Sequence, residues 1–288
     1  MELQQLRYVL AVAETRNFTR AAAQCFVVQS ALSHQVAALE KELGVRLFAR
    51  TSRRVELTAA GEAFLPAARA SLEAAERAAA QASAAAGEVR GTLRIGLIPT
   101  VTALDVPATL RRLHDAHPAV RVTVRGGDSD RHVAAIRAGE LDVAVLGLSE
   151  RTPPAGVASR ELTRDRLVAV LPATHRLARR RRIRLADLEG ETFADFGEGS
   201  PGRAQSDLAF EAAGLARSVT FESMGSELIL GLVAEGLAVA LLPPAVVPAD
   251  RRTVTVEVTD GPVRVEHLAW SDFNPAPATT AFLELVGP

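Results

Sequence analysis

Apolar and polar positions divide the chain into a helical part and an alternating part. Leu6, Val9, Leu10 and Ala13 recur at helical spacing and predict an amphipathic first helix. Thr19 can cap a second helix start, and Ala21, Ala22 and Ala23 give that helix small side chains across which another can pass closely. A short connection over residues 25–28 leads into a helix over 29–43, where Leu32, Val36, Leu39 and Leu43 form one apolar stripe and Gly44 ends the run. Gln29, Ser30, Ser33 and His34 fall off that stripe at its N-terminal end. Short donors and acceptors on the free side of a half-buried helix are what reaching base edges in a major groove requires. Leu47, Phe48, Val55 and Leu57 then predict a small hairpin or wing. The interleaved Arg46, Arg50, Thr51, Arg53 and Arg54 suit phosphates, which position a protein on DNA without reading sequence.

Thr58 predicts the cap of a long helix running to about Gly87, with Leu65, Ala68, Leu72, Ala75, Ala79 and Ala82 at heptad a and d positions. The period changes at Gly91. Strands over 92–98, 120–124 and 142–146 alternate with helices over 103–116 and 130–138. The series resumes with strands over 167–171, 193–195, 219–222 and 237–242, and helices over 203–213 and 226–234. Strands alternating with helices predict a parallel sheet with helices on its faces, here in two α/β lobes. The arginine-rich run within 172–188 reads as a solvated loop and lobe surface.

The sequences AAA at 21–23, QSALSHQV at 29–36, LEKELGVRLFAR at 39–50 and LTAAG at 57–61 together resemble the winged helix-turn-helix of the LysR-type transcriptional regulators. The segments at 171–191 and 232–244 resemble the effector-binding half of the same family. Val28 and His34 depart from the pattern, standing where a capping hydroxyl and an arginine are usual. The resemblance implies a DNA-binding domain over 1–60, a linker and dimerisation helix over 58–88, and a two-lobed domain like the periplasmic binding proteins over 91–288. Lobe I would take 91–162 and 268–288, with a helix over 276–285, and lobe II 163–267. It also implies a homodimer or homotetramer on double-stranded operator DNA, with RNA polymerase as a further partner.

In open α/β sheets a ligand binds beyond the carboxyl ends of the strands, where helix N-termini converge. That rule selects Thr100, Val101 and Thr102, then Asp128, then Leu148 from one lobe. From the other it selects Phe196, Ser200, Pro201, Arg203 and Met224. Hydroxyls of Thr100, Thr102 and Ser200 beside helix starts, with Arg203 for charge pairing, suit a small anion such as a carboxylate. Phe196, Phe221 and Met224 are candidates for an apolar wall.

Composition narrows the classes further. The chain has 288 residues, 48% hydrophobic and 23% charged, enough for two or three domains with real cores. The net charge is −1, yet residues 1–60 carry eight Lys or Arg against five Glu, so positive charge concentrates where DNA is expected. A single cysteine, Cys25, allows no intrachain disulfide and reads as a packing residue. The N-terminus has no signal-peptide pattern, which predicts a cytoplasmic protein. The apolar run at 228–247 is cut by Glu235, Gly236, Pro243 and Pro244 and predicts no membrane span. No catalytic or metal-binding motif is present, His114 and His117 lacking suitable companions, so neither enzyme activity nor cofactor is expected. The alternatives are an architectural DNA-binding protein whose α/β lobes serve assembly, and a metabolite-binding module with a vestigial helix-turn-helix.

Overall fold

The structure, a computed structural model, describes residues 1–50 and 55–287, with Arg50 described in its backbone. It divides into two compact units, Met1–Gly87 and Glu88–Pro288.

In the first unit, α1 (Leu3–Thr15), α2 (Phe18–Gln24) and α3 (Gln29–Leu43) enclose a core that includes Leu6, Val9, Val12, Ala21, Leu32, Val36 and Leu39. The cap of α2 is Asn17 and not Thr19: its Oδ1 accepts the N–H groups of Thr19 at 2.9 Å and Arg20 at 3.0 Å. This places Phe18 inside the helix, where its ring meets Phe48 edge-on at 5.9 Å. Val28 starts α3 without a side-chain cap, and Gly44 ends it in the left-handed region at φ 72°. The expected apolar stripe is intact through Leu39, but Leu43 is 37% exposed and Glu40 takes the buried position. Its Oε1 accepts N–H groups from Leu47 at 2.8 Å and Phe48 at 3.0 Å, tying α3 to the wing. The wing pairs β1 (Phe48–Arg50) antiparallel with β2 (Val55–Leu57), Phe48 opposite Leu57.

Helix α4 (Ala59–Ala85) starts where Thr58 Oγ1 accepts the Gly61 N–H at 3.0 Å and donates to the Arg46 carbonyl at 2.6 Å. A Cβ on Gly61 would lie 2.2 Å from the Leu47 carbonyl oxygen, so this close approach requires glycine. Gly61→Ala should destabilise the first unit by about 1–3 kcal/mol, the usual range for forced overpacking, read as a lower urea midpoint followed by far-UV circular dichroism. Of the residues expected in a dimer seam, Ala68 and Leu72 are buried within the protomer's own core and Leu65 packs against it. Ala75 is half-buried and Ala79 exposed. The first turns of the stripe are therefore occupied by self-packing, because α4 lies against α1.

The second unit begins with β3 (Gly91–Leu97), α5 (Val106–Ala116), β4 (Val120–Gly126), α6 (Ser129–Arg137), β5 (Val143–Ser149) and β6 (Ala158–Arg166). The chain then builds a second lobe from β7 (Val168–Pro172), β8 (Arg182–Ile183), β9 (Thr192–Phe196), α7 (Pro201–Ala212), β10 (Ser218–Ser223), α8 (Ser226–Ala234), β11 (Ala240–Leu242) and β12 (Thr253–Val258). It returns through β13 (Val263–Trp270) and ends with α9 (Pro277–Val286), which packs on α5 and β3 of the first lobe.

The first-lobe sheet has five strands in the order β4-β3-β5-β13-β6. Only β4, β3 and β5 are parallel; β13 runs antiparallel to both of its neighbours, so the sheet is mixed and not purely parallel. In the second lobe β9 and β10 are parallel, while β7 is antiparallel to β11 and β12. Strands β6 and β13 pair up to Arg166 opposite Val263, so the chain crosses between lobes beyond Arg166 and before Val263. Both crossings fall inside the expected 163–267 span, a few residues from its ends, so that β6 and β13 keep those residues in the first lobe's sheet. Along β5, Val143 and Val145 join the core shared with α5 and α9, while Ala144 and Leu146 join the one beneath α6. A strand apolar on both sides is what a sheet covered on both faces requires.

Candidate functional site

On the first unit, Gln29, Ser30 and His34 are exposed at the start of α3 and Ser33 is half-buried beside them. Gln5 of α1 donates from Nε2 to Gln35 Oε1 at 3.1 Å, helping to hold this helix in place. Phe26, given no role from the sequence, is exposed just before α3 with a left-handed φ of 57°. Thr51, Arg53, Arg54 and the Arg50 side chain lie outside the described residues.

In the second unit a cavity of about 890 Å³ opens where β3 and β5 end and α6 and α7 begin, with walls from both lobes. Of the residues expected to contact an effector, Thr100, Asp128, Phe196, Ser200 and Met224 line it. The other expected contacts are engaged elsewhere. Val101 packs at the first-lobe core and Leu148 is buried in the cluster beneath α6. Thr102 gives its N–H and its hydroxyl to Glu266, the latter at 2.9 Å. Pro201 opens α7 but does not reach the cavity wall. Arg203 lies between Asp207 at 3.0 Å and Glu222 at 2.5 Å, so its charge is already matched. Phe221 packs with the second-lobe core, leaving Phe196 and Met224 as the apolar wall from that group.

The residue that dominates the floor is Arg264 of β13, only 1% exposed. Its Nη1 donates to the Thr100 carbonyl at 2.7 Å and Thr100 Oγ1 at 3.0 Å. Its Nη2 reaches Thr102 Oγ1 and Glu266 Oε2, both at 2.9 Å, and Asp165 Oδ2 at 3.1 Å. Glu266, fully buried, also accepts the N–H groups of Thr102 and Ala103 at 3.1 Å. One guanidinium thus joins both crossing strands, through Asp165 on β6 and its own position on β13, to the loop after β3. A Cβ on Gly147 would lie 2.7 Å from Ile98 Cδ1, which would have to shift, but in ordinary contact, at 3.5 Å, with Arg264 Cδ.

The remaining charges at the cavity are mostly acidic. Asp128 caps α6 by accepting the Arg131 N–H at 2.9 Å and pairs with the Arg131 guanidinium at 3.1 Å. Asp130 and Glu198 also line the wall, and neither has an ion-pair partner among the described residues. Partial burial, and then the charge of Asp128, push the Asp130 carboxyl above its ordinary range. Gln205 is buried and donates from Nε2 to the Gly202 carbonyl at 3.0 Å; its Oε1 and the Ser200 hydroxyl are buried atoms without a hydrogen-bond partner. His132 lies beneath Gly96 and Gly127, and burial lowers its imidazole below the usual range.

Residues 3–62 match the family described as "Bacterial regulatory helix-turn-helix protein, lysR family", and residues 86–287 match "LysR substrate binding domain". The chain belongs to the LysR family of transcriptional regulators. It is similar to GltC, a transcriptional dual regulator of Bacillus subtilis (strain 168), with 32% identity over 258 residues, 90% of this chain and 86% of that protein. Its fold is similar to a full-length OxyR cysteine-to-aspartate variant from Pseudomonas aeruginosa, at 28% identity and TM-score 0.76, covering 99% of this chain and 94% of that one. It is equally similar in identity, 28%, to full-length CbnR in complex with its target DNA, at TM-score 0.71 and 99% coverage of both chains. The LysR family is one of DNA-binding regulators and not of enzymes, with a helix-turn-helix, a linker helix and a two-lobed α/β effector domain. No helix among the described residues of this LysR-family chain is long and apolar enough to cross a membrane.

Proposed function

We propose that this protein is a cytoplasmic, oligomeric regulator of transcription whose affinity or geometry on an operator is set by a small organic molecule held between its two α/β lobes. Gln29, Ser30, Ser33 and His34 read base edges, and Arg50, Thr51, Arg53 and Arg54 engage phosphates. Subunits pair along the α4 stripe beyond Leu65, Ala68 and Leu72, through Ala75 and Ala79. The observation that carries the ligand-controlled reading is the cavity itself: it takes walls from both lobes, and its floor residue Arg264 is bonded to Asp165 beside one crossing and sits beside the other. A ligand with different affinity for two lobe arrangements would shift their populations. An architectural role for the lobes requires no such cavity.

Several relatives are named hydrogen peroxide-inducible genes activators, among them one from Dickeya chrysanthemi, 33% identical over 251 residues. A thiol switch in the effector unit is not open to this chain. Its one cysteine, Cys25, lies in the helix-turn-helix, partly buried, with burial raising the thiol above its ordinary range. A low-pKa, accessible thiolate is what peroxide chemistry selects.

The test is a footprint of the full-length protein on the DNA upstream of its own gene, with and without panels of small amines and acids, and with peroxide. A footprint whose length or bending changes with one compound, but not with peroxide, is expected. Gly197 lines the cavity with open space where its Cβ would be, so Gly197→Trp should fill it and abolish the compound's effect. A footprint that no compound alters would favour the architectural reading.

A further inference from the structure

The turn that leads into α3 presents two large apolar side chains to solvent. Phe26 is 95% exposed, the highest value for a large apolar side chain among the described residues, and Val28 is 69% exposed. Val27, between them, packs against the core of the first unit. The turn's own backbone fixes this alternation. The Phe26 N–H donates to the Ala23 carbonyl at 3.1 Å, and the Val27 N–H to the Ala22 carbonyl at 3.0 Å. Residues 26 and 28 are thereby held outward, directly before the exposed Gln29 and Ser30.

Both side chains cost local stability and return none to the fold. Phe26 holds φ at 57°, in the left-handed region that glycine or asparagine occupies far more readily. Val28 stands at the N-cap of α3, where a hydroxyl or carboxylate would accept an N–H of the first turn, and no side chain caps this helix. Any return must therefore come from a surface outside the protomer. Two side chains are too few for a protein partner, which takes about 800 Å² from each side. Their size suits one or two methyl groups.

The N-terminal residues of the second helix of a helix-turn-helix are those that approach base edges. In the major groove the apolar group that a base pair offers is the C5-methyl of thymine, and apolar side chains, phenylalanine among them, read it by contact. We propose that Phe26 and Val28 form an apolar contact for thymine methyl groups, a specificity element beside the polar side chains of Gln29, Ser30, Ser33 and His34. This rests on the reading of α3 as the helix that enters the groove. Replacing thymine by uracil removes the methyl and leaves every hydrogen-bonding group of the base pair in place, so it isolates the contact.

The experiment is a gel-shift titration of the full-length protein on the DNA segment it protects upstream of its own gene, with thymines replaced one at a time by uracil. At one or two positions the native protein is expected to bind about fourfold more weakly, the value of one buried methyl. The Phe26→Ala/Val28→Ser protein should protect the same segment and lose that preference, binding thymine and uracil duplexes alike. Val28→Ser alone supplies the missing cap, so it should raise the urea midpoint while weakening binding to the thymine duplex. Opposite signs exclude loss of folding as the cause. Uniform tolerance of uracil by the native protein overturns the proposal, as does a uracil penalty that the double substitution leaves unchanged. In either case a sequence-specific footprint that is lost in Gln29→Ala keeps α3 as the reading helix, and only the methyl contact falls. If the native protein gives no sequence-specific footprint, the reading of α3 fails and the contact fails with it.

Discussion

Arg264→Met should destabilise the α/β unit by about 3–5 kcal/mol, the range for removing one partner of a buried ion cluster. The side chain is 1% exposed and its two terminal nitrogens serve five acceptors on four residues. Methionine fills much of the volume but leaves Glu266, fully buried, and Asp165 facing each other without a cation. Arg264→Lys should recover little, because an ammonium has three donors on one atom and cannot span Thr100, Thr102 and both carboxylates in a planar fork. The loss is measured as a shift in the urea midpoint at constant slope, followed by the fluorescence of Trp270 on the same strand. Combining Arg264→Met with Glu266→Gln should cost less than the sum of the two single changes, since the uncompensated charge is then gone. A loss below about 1 kcal/mol would place this cluster with solvent-screened surface pairs.

The same cluster explains why part of the fold was hidden in the sequence. Strand β13 reads Val263–Trp270 with Arg264 and Glu266 alternating against Val263 and Val265, a pattern that ordinarily marks one wet face. Here the charged side is buried, because the guanidinium and carboxylate satisfy one another and the loop after β3. Strand β6 is rich in charge and lies at the sheet edge, where apolar alternation is weak. With both strands unread, the antiparallel half of the first sheet and the positions of the crossings were out of reach. The helical unit was more legible, since its signals are local: an apolar stripe, small residues at a crossing and a terminal glycine. Its one misplaced cap pitted Thr19 against Asn17, both good capping residues. The choice fell to Asn17 because Phe18 is needed inside the helix to meet Phe48.

For the cavity, loop positions after strands were legible and side-chain roles were not. Thr100, Asp128, Phe196, Ser200 and Met224 reached the wall, as the general rule for open α/β sheets predicts. Arg203 and Thr102 did not, because each met a carboxylate brought to it from a distant part of the chain, Glu222 and Glu266. An arginine in sequence advertises a charge; only the fold shows whether that charge is free. The charge pairing expected of Arg203 depended on that difference.

Glu40→Ala should cost the helix-turn-helix unit about 2–6 kcal/mol, from leaving two buried N–H groups without an acceptor at about 1–3 kcal/mol each. Glu40 lies on α3 four residues beyond Val36, on the buried side of the helix, and is 9% exposed. Its Oε1 accepts the N–H groups of Leu47 and Phe48, whose side chains are both 1% exposed in the core. The carboxylate therefore fixes where the wing begins relative to the helix proposed to enter the groove. Glu40→Gln retains an acceptor oxygen at that place and should keep most of the stability, so a loss confined to alanine would identify the hydrogen bonds and not the charge as the source. Because helix and wing are proposed to meet one duplex together, Glu40→Ala should also weaken DNA binding more than its fraction unfolded accounts for, measured by gel shift at a temperature where the protein remains folded. Equal behaviour of Glu40→Gln and Glu40→Ala in both measurements would mean that the negative charge, and not the acceptor geometry, holds the wing.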